Sequence, residues 1–206
     1  MAMDSLPLFP LPVVLFPGTM IPLHIFEARY REMLETVLEG DRRFGLVYHD
    51  PDESGPFLNE AGQVGTIAEV RKHQPLQDGR SLILIRGIDR FRIQEEVLGG
   101  APYYRANVGP YQDTPPADGS GLVARRGKSL ALFEQVLESL PHVPEALPSF
   151  DVEKELSFRL AAVARMDTFW QQELLEMTDE TARLDRLDPV FRFGIDRNWE
   201  GGKPEA

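Results

Sequence analysis

The hydrophobic period changes once along this chain, and that change constrains its fold more than any other feature. From Arg43 to Val108 the apolar residues come in short runs rich in β-branched and aromatic side chains, as in strands. The runs are 44–48, 64–72, 81–86, 90–97 and 103–108. Between them lie DPDESGPFLNEAGQ, QPLQDGR and LGGAP, which carry the Gly, Pro, Asp and Asn of loops. In Arg90-Phe91-Arg92-Ile93 the alternation predicts Phe91 and Ile93 toward a core and both arginines toward water. Leu82 to Ile85 is apolar throughout, which predicts a strand covered on both faces. Several short strands at this spacing predict a small closed or nearly closed barrel.

Beyond residue 121 apolar residues recur every three or four positions. Leu130, Phe133, Val136, Leu137 and Leu140 form one helical stripe, and Val152, Leu156, Leu160 and Val163 a second. Pro141, Pro144 and Pro148 separate them, and Asp151 suits the N-cap of the second helix. Thr168 with Gln171 fits a capping box for a third helix carrying Leu174 and Leu175. A fourth, over 180–187, should stop before Pro189. The two patterns meet at YQDTPPADGSG, with its paired prolines and small residues. The expected fold class is therefore α+β: a β-barrel subdomain with one helix over 1–112, a linker over 113–121, a helical subdomain over 122–195 and a disordered tail over 196–206.

The opening stretch, LPLFPLPVVLFPGTMIPLHIFEARY, carries Pro7, Pro10, Pro12 and Pro17 within an apolar run. A secretory signal needs a basic start and an unbroken apolar core, and a membrane span needs about 20 apolar residues. Neither pattern is present. The stretch reads as an entry strand, because proline is tolerated at sheet edges and strand starts. A turn at Phe16-Pro17-Gly18 then leads to an amphipathic helix over 27–38, ended by Gly40. Burial of Leu8, Val14 and Phe16 is the test of this reading.

The sequence offers no catalytic constellation that rises above chance. The chain has no cysteine, which removes thiolate metal sites and cysteine nucleophiles and suits a reducing cytoplasm. Its net charge is −11, with 11 bases against 15 acids in residues 1–112 and 11 against 18 in the remainder, so neither half is built to displace counterions from nucleic acid. GLVARRGKS, residues 121–129, approaches a phosphate-binding loop, but Leu122 occupies the required glycine position and no strand precedes it. DPDESG, residues 50–55, begins like a calcium loop, but Ala61 stands where the bidentate Glu belongs. His24, His49, His73 and His142 are scattered, and no G-x-S-x-G elbow is present. No catalytic residue, cofactor or metal ligand is expected. Physics alone gives a binding or scaffolding module.

LPLFPLPVVLFPGTMIPLHIFEARY, GQVGTIAEV, DGRSLILIRGIDRFRI, YYRANV, LSFRLA and QELLEMTDETARLDRL, in that order from Leu6 to Leu187, resemble the N-terminal domain of the Lon protease family. The resemblance implies a pseudouridine-synthase-and-archaeosine-transglycosylase-like (PUA-like) barrel followed by a helical bundle. It also implies a role in recognising substrate proteins, with unfolded or exposed polypeptide, and a protease or other quality-control protein, as partners. Homo-oligomerisation is left open. The chain has no valid ATP loop and no room for the serine-lysine protease domain, so enzymatic activity is not carried over. It is also similar to stand-alone Lon-domain proteins and, more distantly, to the Lon-like domain of cereblon, an adaptor. The expected function is a non-enzymatic, cytoplasmic protein- or peptide-binding module. Two alternatives remain: RNA binding through Arg86, Arg90, Arg92 and Arg105, and a small-ligand enzyme with a pocket between the halves. Candidate peptide-binding residues are Phe9, Phe16, Phe26, Tyr103, Tyr104 and Trp170, chosen because binding grooves favour domain junctions.

Overall fold

The computed structural model describes residues 5–116, 118–139, 150–164 and 166–196. The chain divides into two compact units, Met1–Gln112 with Asp167–Glu176, and Asp113–Met166 with Met177–Ala206. The first contains β1 (Leu6–Leu11), β2 (Met20–Ile25), α1 (Ala28–Glu39), β3 (Arg43–Tyr48), α2 (Pro51–Ser54), β4 (Val64–Pro75), β5 (Ser81–Glu96) and β6 (Tyr104–Pro110). The sheet runs β2-β5-β4-β3-β1-β6, and β6 pairs back onto β5. Five strands thus close a ring, while β2 extends the sheet outside it. All pairings are antiparallel except β1 with β3.

The two strands expected over 81–86 and 90–97 are one continuous strand, β5. Gly87 explains why the chain bends there without turning back. The backbone N–H of Gly18 donates to the Gly87 carbonyl at 2.8 Å, and the Gly87 N–H donates to the Thr19 carbonyl at 2.9 Å. A Cβ at Gly87 would lie 2.3 Å from the Phe16 carbonyl oxygen. The Phe16–Thr19 turn therefore fits against a residue without a side chain, and the register shifts between Thr66 and Ala68 on the neighbouring strand. Beyond this bulge β5 belongs to the ring; before it, β5 forms an arm between β2 and the far half of β4.

Leu8, Val14 and Phe16 are buried, so the opening stretch is part of the fold. Its first strand, β1, tolerates prolines because its two neighbours overlap only at Leu8. Pro7 faces β6 alone and Pro10 faces β3 alone, leaving one side of the strand free at each proline. Two cores result. Leu8, Val47, Phe91, Ile93, Ala106 and Val108 fill the ring. Phe9, Leu15, Phe44, Leu46, Ala68, Val70, Ile83 and Ile85 pack on the opposite face with Tyr30, Met33, Leu34 and Val37 of α1. The strand covered on both faces is therefore β3, buried from Phe44 to Val47, and not 82–85, where Leu82 is 43% exposed. The arm has an inner face against the second core and an uncovered outer face.

The helix α5 (Thr168–Glu176) was expected with the helical half but belongs to the sheet unit. Its last carbonyls receive donors from that unit: Arg90 Nη1 donates to Leu175 O at 2.6 Å and Tyr111 Oη to Glu176 O at 2.6 Å. A guanidinium at a helix C-terminus meets both unpaired carbonyls and the negative end of the helix dipole. Gln172 Nε2 also donates to Val64 O at 3.0 Å. Arg90 is consequently buried, contrary to the expectation that alternation would turn it to water. The cap is Asp167, whose Oδ1 accepts from Trp170 N at 2.9 Å, while Thr168 meets the Tyr48 hydroxyl.

The second unit holds α3 (Gly119–Ser139), α4 (Ser157–Val163) and α6 (Glu180–Asp196). Phe133 and Val136 of the first expected stripe are buried. Leu140, the three separating prolines and residues 197–206 of the expected tail lie outside the described residues, and 196 ends a helix. Residues 113–121, expected as a linker, are tied down at their start: Thr114 N donates to Thr178 O at 2.8 Å and Asp113 binds Arg183. Asp151 does not cap α4. It caps the turn before it, accepting from Glu153 N at 3.0 Å, and the Glu155 carboxylate accepts from Phe158 N at 3.0 Å instead. The fourth helix continues through Pro189. An internal proline costs about 3 kcal/mol, but Leu187 and Phe191 are buried on either side of it, each contributing about 1.5–3 kcal/mol. Packing outweighs propensity there.

Burial, opposed by hydrogen bonds from Ser157 and Phe158, pushes the Glu155 carboxyl above its ordinary value of 4.5, and Glu180 nearby adds to the rise. The folded protein thus holds this proton at pH values where the unfolded chain has released it. Stability from this group is fully present below 4.5 and is lost as pH rises through the raised folded value. Glu155→Gln keeps an acceptor and removes the charge, so its urea midpoint should gain on the parent between pH 4.5 and neutrality; a difference independent of pH would contradict this.

Candidate functional site

The outer face of the arm is defined by register. Across β2, β5 and β4, Met20 faces Arg86, which faces Glu69; Pro22 faces Leu84, which faces Lys72; His24 faces Leu82, which faces Gln74. Directly paired residues share a face, so these nine side chains form one surface. The alternate residues Ile25, Ser81, Ile83 and Ile85 turn inward and are buried. Met20 is 59% exposed, Leu82 43% and Phe26, just past β2, 60%. The Phe26 ring lies 5.7 Å from the His24 ring, which extends the apolar column. Contiguous apolar groups left in water on a sheet face mark an interaction surface. Among the described residues β2 pairs on one side only, but Pro22 has no N–H to offer along that free edge, which suits capture through side chains over addition of a strand.

Of the candidate residues only Phe26 belongs to this surface. Phe9 and Phe16 are corrected to core: at 5% and 1% exposed they have no surface to present, and Phe9 packs with Tyr30 and Phe44. Tyr103 is half-buried against the core shared with α1. The Tyr104 ring meets Phe57 edge-on at 4.9 Å and lies 5.8 Å below the Arg29 guanidinium, which also covers Tyr30 at 4.6 Å. Burial pushes the Tyr30 hydroxyl up to about 12. Trp170 is half-buried on α5. Met20, Pro22, Leu82 and Leu84 were missed. Their signal is two short runs, MIPLHI and LILI, that are apolar at both parities while only one face of the arm is covered.

The four arginines considered for RNA do not make one face. Arg86 is on the arm, whereas Arg90 and Arg92 lie over the Tyr111 ring at 4.9 and 4.4 Å, and Arg90 serves α5. The segment resembling a phosphate loop lies within α3, and its Arg125, Arg126 and Ser129 are engaged internally. Arg126 makes a bidentate pair with Glu180 at 3.0 and 2.6 Å, Arg125 binds Asp185 and Asp188, and Ser129 Oγ donates to Asp188 at 2.6 Å. In the calcium-like stretch, Asp50 caps the single turn of α2 by accepting from Asp52 N at 3.0 Å. Among the described residues no group of three or more His, Asp or Glu is placed to hold a metal ion, and no helix is long and apolar enough to cross a membrane.

A closed, partly parallel barrel followed by helices, with a solvent-facing apolar arm, defines an α+β domain of the PUA-like kind. The family model of the ATP-dependent protease La (LON) substrate-binding domain matches residues 5–188, and the chain belongs to that family. It is 28% identical over 191 residues to Lon protease of Cytophaga hutchinsonii, covering 86% of this chain and 23% of that protein. With Lon protease of Escherichia coli K12 the figures are 26% over 198 residues, 93% and 25%. The chain thus spans about a quarter of the length of these curated relatives, and only the substrate-binding domain is matched. Among solved structures, a Lon N-terminal domain protein from Xanthomonas campestris aligns with a TM-score of 0.63 at 25% identity, covering 90% of this chain and 97% of that one. The N-terminal domain of Mycobacterium avium complex Lon protease aligns with a TM-score of 0.66 at 17% identity, covering 92% and 98%, a likeness of fold.

Proposed function

We propose that this chain is a non-enzymatic polypeptide-binding module that holds exposed apolar segments of client proteins on the outer face of the β2–β5–β4 arm and works in cytoplasmic protein quality control, presenting clients to a protease or another quality-control protein. The observation that carries this reading is the exposure of Met20, Phe26 and Leu82 on the face opposite to the buried Ile25, Val70, Ile83 and Ile85. Family membership supports it, since the matched domain is described as substrate-binding. Burial of such groups by a client would contribute about 25 cal/mol per Å2 of apolar area before the costs of ordering the client.

The test is a titration with a permanently unfolded model protein followed by fluorescence anisotropy. Combined Met20→Ser, Phe26→Ser and Leu82→Ser should weaken binding about 10-fold or more while leaving the thermal midpoint nearly unchanged, because side chains already in water contribute little to folding. Unaltered affinity in that variant would overturn the assignment of the face.

A further inference from the structure

The arm carries a charge preference as well as an apolar surface. Residues 69–86 contain four bases, Arg71, Lys72, Arg80 and Arg86, against two acids, Glu69 and Asp78, in a chain whose net charge is −11. Both acids are already matched. Arg71 pairs with Glu69 at 3.1 Å and Arg80 with Asp78 at 2.6 Å. That hydrogen bonding holds the Asp78 carboxyl below its usual range. Lys72 and Arg86 remain, exposed and without an ion pair or hydrogen bond among the described residues. By register they stand next to the apolar column, Lys72 opposite Leu84 and Arg86 opposite Met20.

The geometry points to polypeptide segments in which carboxylates flank apolar side chains as the ligands of the arm. This rests on the reading of the arm as the docking face and adds the chemistry of its client. A segment seated on Met20, Pro22 and Leu84 brings its neighbouring side chains to Lys72 and Arg86. The overall negative charge does not reverse the preference at physiological salt, because charges more than about 8 Å away are largely screened while these two cations are at contact distance. Charges at the rim of an interface act chiefly on selectivity, favouring complementary partners and disfavouring like-charged ones.

Three labelled peptides with identical apolar residues at alternate positions, and Glu, Ser or Lys between them, test this by anisotropy at about 0.15 M salt. The expected order with the parent protein is Glu, then Ser, then Lys, with about 10-fold between the extremes. Combined Lys72→Glu and Arg86→Glu should reverse the order, and combined Met20→Ser and Leu84→Ser should weaken all three. Equal binding of the Glu and Lys peptides, or an order unchanged by the charge reversal, overturns the client chemistry while leaving the docking face standing. Absence of binding by every peptide, or affinities untouched by the apolar substitutions, overturns the docking face itself. A self-association abolished by Met20→Ser and Leu84→Ser would assign the face to a second copy and overturn both.

Discussion

Arg183→Leu should destabilise the protein by about 3–5 kcal/mol, the usual cost of removing one partner from a buried ion pair. Arg183 is fully buried. Its Nε donates to Ser157 Oγ at 2.7 Å, its Nη1 to Asp113 Oδ1 at 2.7 Å and to Met177 O at 2.8 Å, and its Nη2 to the second oxygen of Asp113. The guanidinium also lies 4.1 Å from the centre of the Phe158 ring, with Glu155 at 3.7 Å. Leucine would restore apolar volume but leave Asp113, Ser157 and the Met177 carbonyl without their donor. Arg183→Lys should recover only a minor part, since an ammonium cannot make the forked contact with Asp113. Asp113→Asn should cost less, about 1–2 kcal/mol, because asparagine keeps one acceptor for the guanidinium and Glu155 still stands 3.7 Å from it. Urea denaturation of the three variants checks the ranking. A leucine variant within about 1 kcal/mol of the parent would show that the network is dispensable.

This network also marks where sequence reading stops. Strand content, the helix after Phe26 and the change of period near residue 112 were legible because apolar spacing is a local property. Arg183, Arg126 and Asp188 were not, because an exposed and a buried arginine have the same letter; partners 54 to 70 positions away decide between them. The same applies to α5. Its helix was readable from Leu174 and Leu175, but its place with the sheet depends on Arg90 and Tyr111 reaching its last carbonyls. For the arm, the apolar run at Leu82–Ile85 predicts burial on both faces. Hydrophobicity alone does not distinguish a second core from an interface, and strand register does. α6 is capped by Asp179, a residue type suited to an N-cap, which accepts from Thr181 N at 2.8 Å.

Gly45→Ala should cost about 2–3 kcal/mol, and the loss should shrink when Phe91→Leu is added. Phe91 is a fully buried ring inside the barrel, and Gly45 of β3 and Gly65 of β4 face it. A Cβ at Gly45 would lie 2.7 Å from Phe91 Cζ and 2.7 Å from Leu8 Cδ2. A ring of five strands has little interior volume, so small residues must stand where a large one enters. Phe91→Ala alone should cost about 3–5 kcal/mol, for lost burial and for the cavity left between these glycines. In the double variant the added methyl occupies space vacated by the ring edge, so the two losses should sum to more than the measured one by about 1 kcal/mol. Gly65→Ala provides the contrast. Its Cβ would meet Phe91 Cζ at 2.7 Å but also the Leu46 carbonyl oxygen at 2.5 Å, and backbone cannot rotate aside. Phe91→Leu should therefore rescue Gly45→Ala and leave most of the Gly65→Ala loss in place, as chemical denaturation of the five variants would reveal. Equal rescue at both glycines would mean that the backbone of β3 yields at Leu46, whereas no rescue at Gly45 would remove the close fit of Phe91 as the reason that position lacks a side chain.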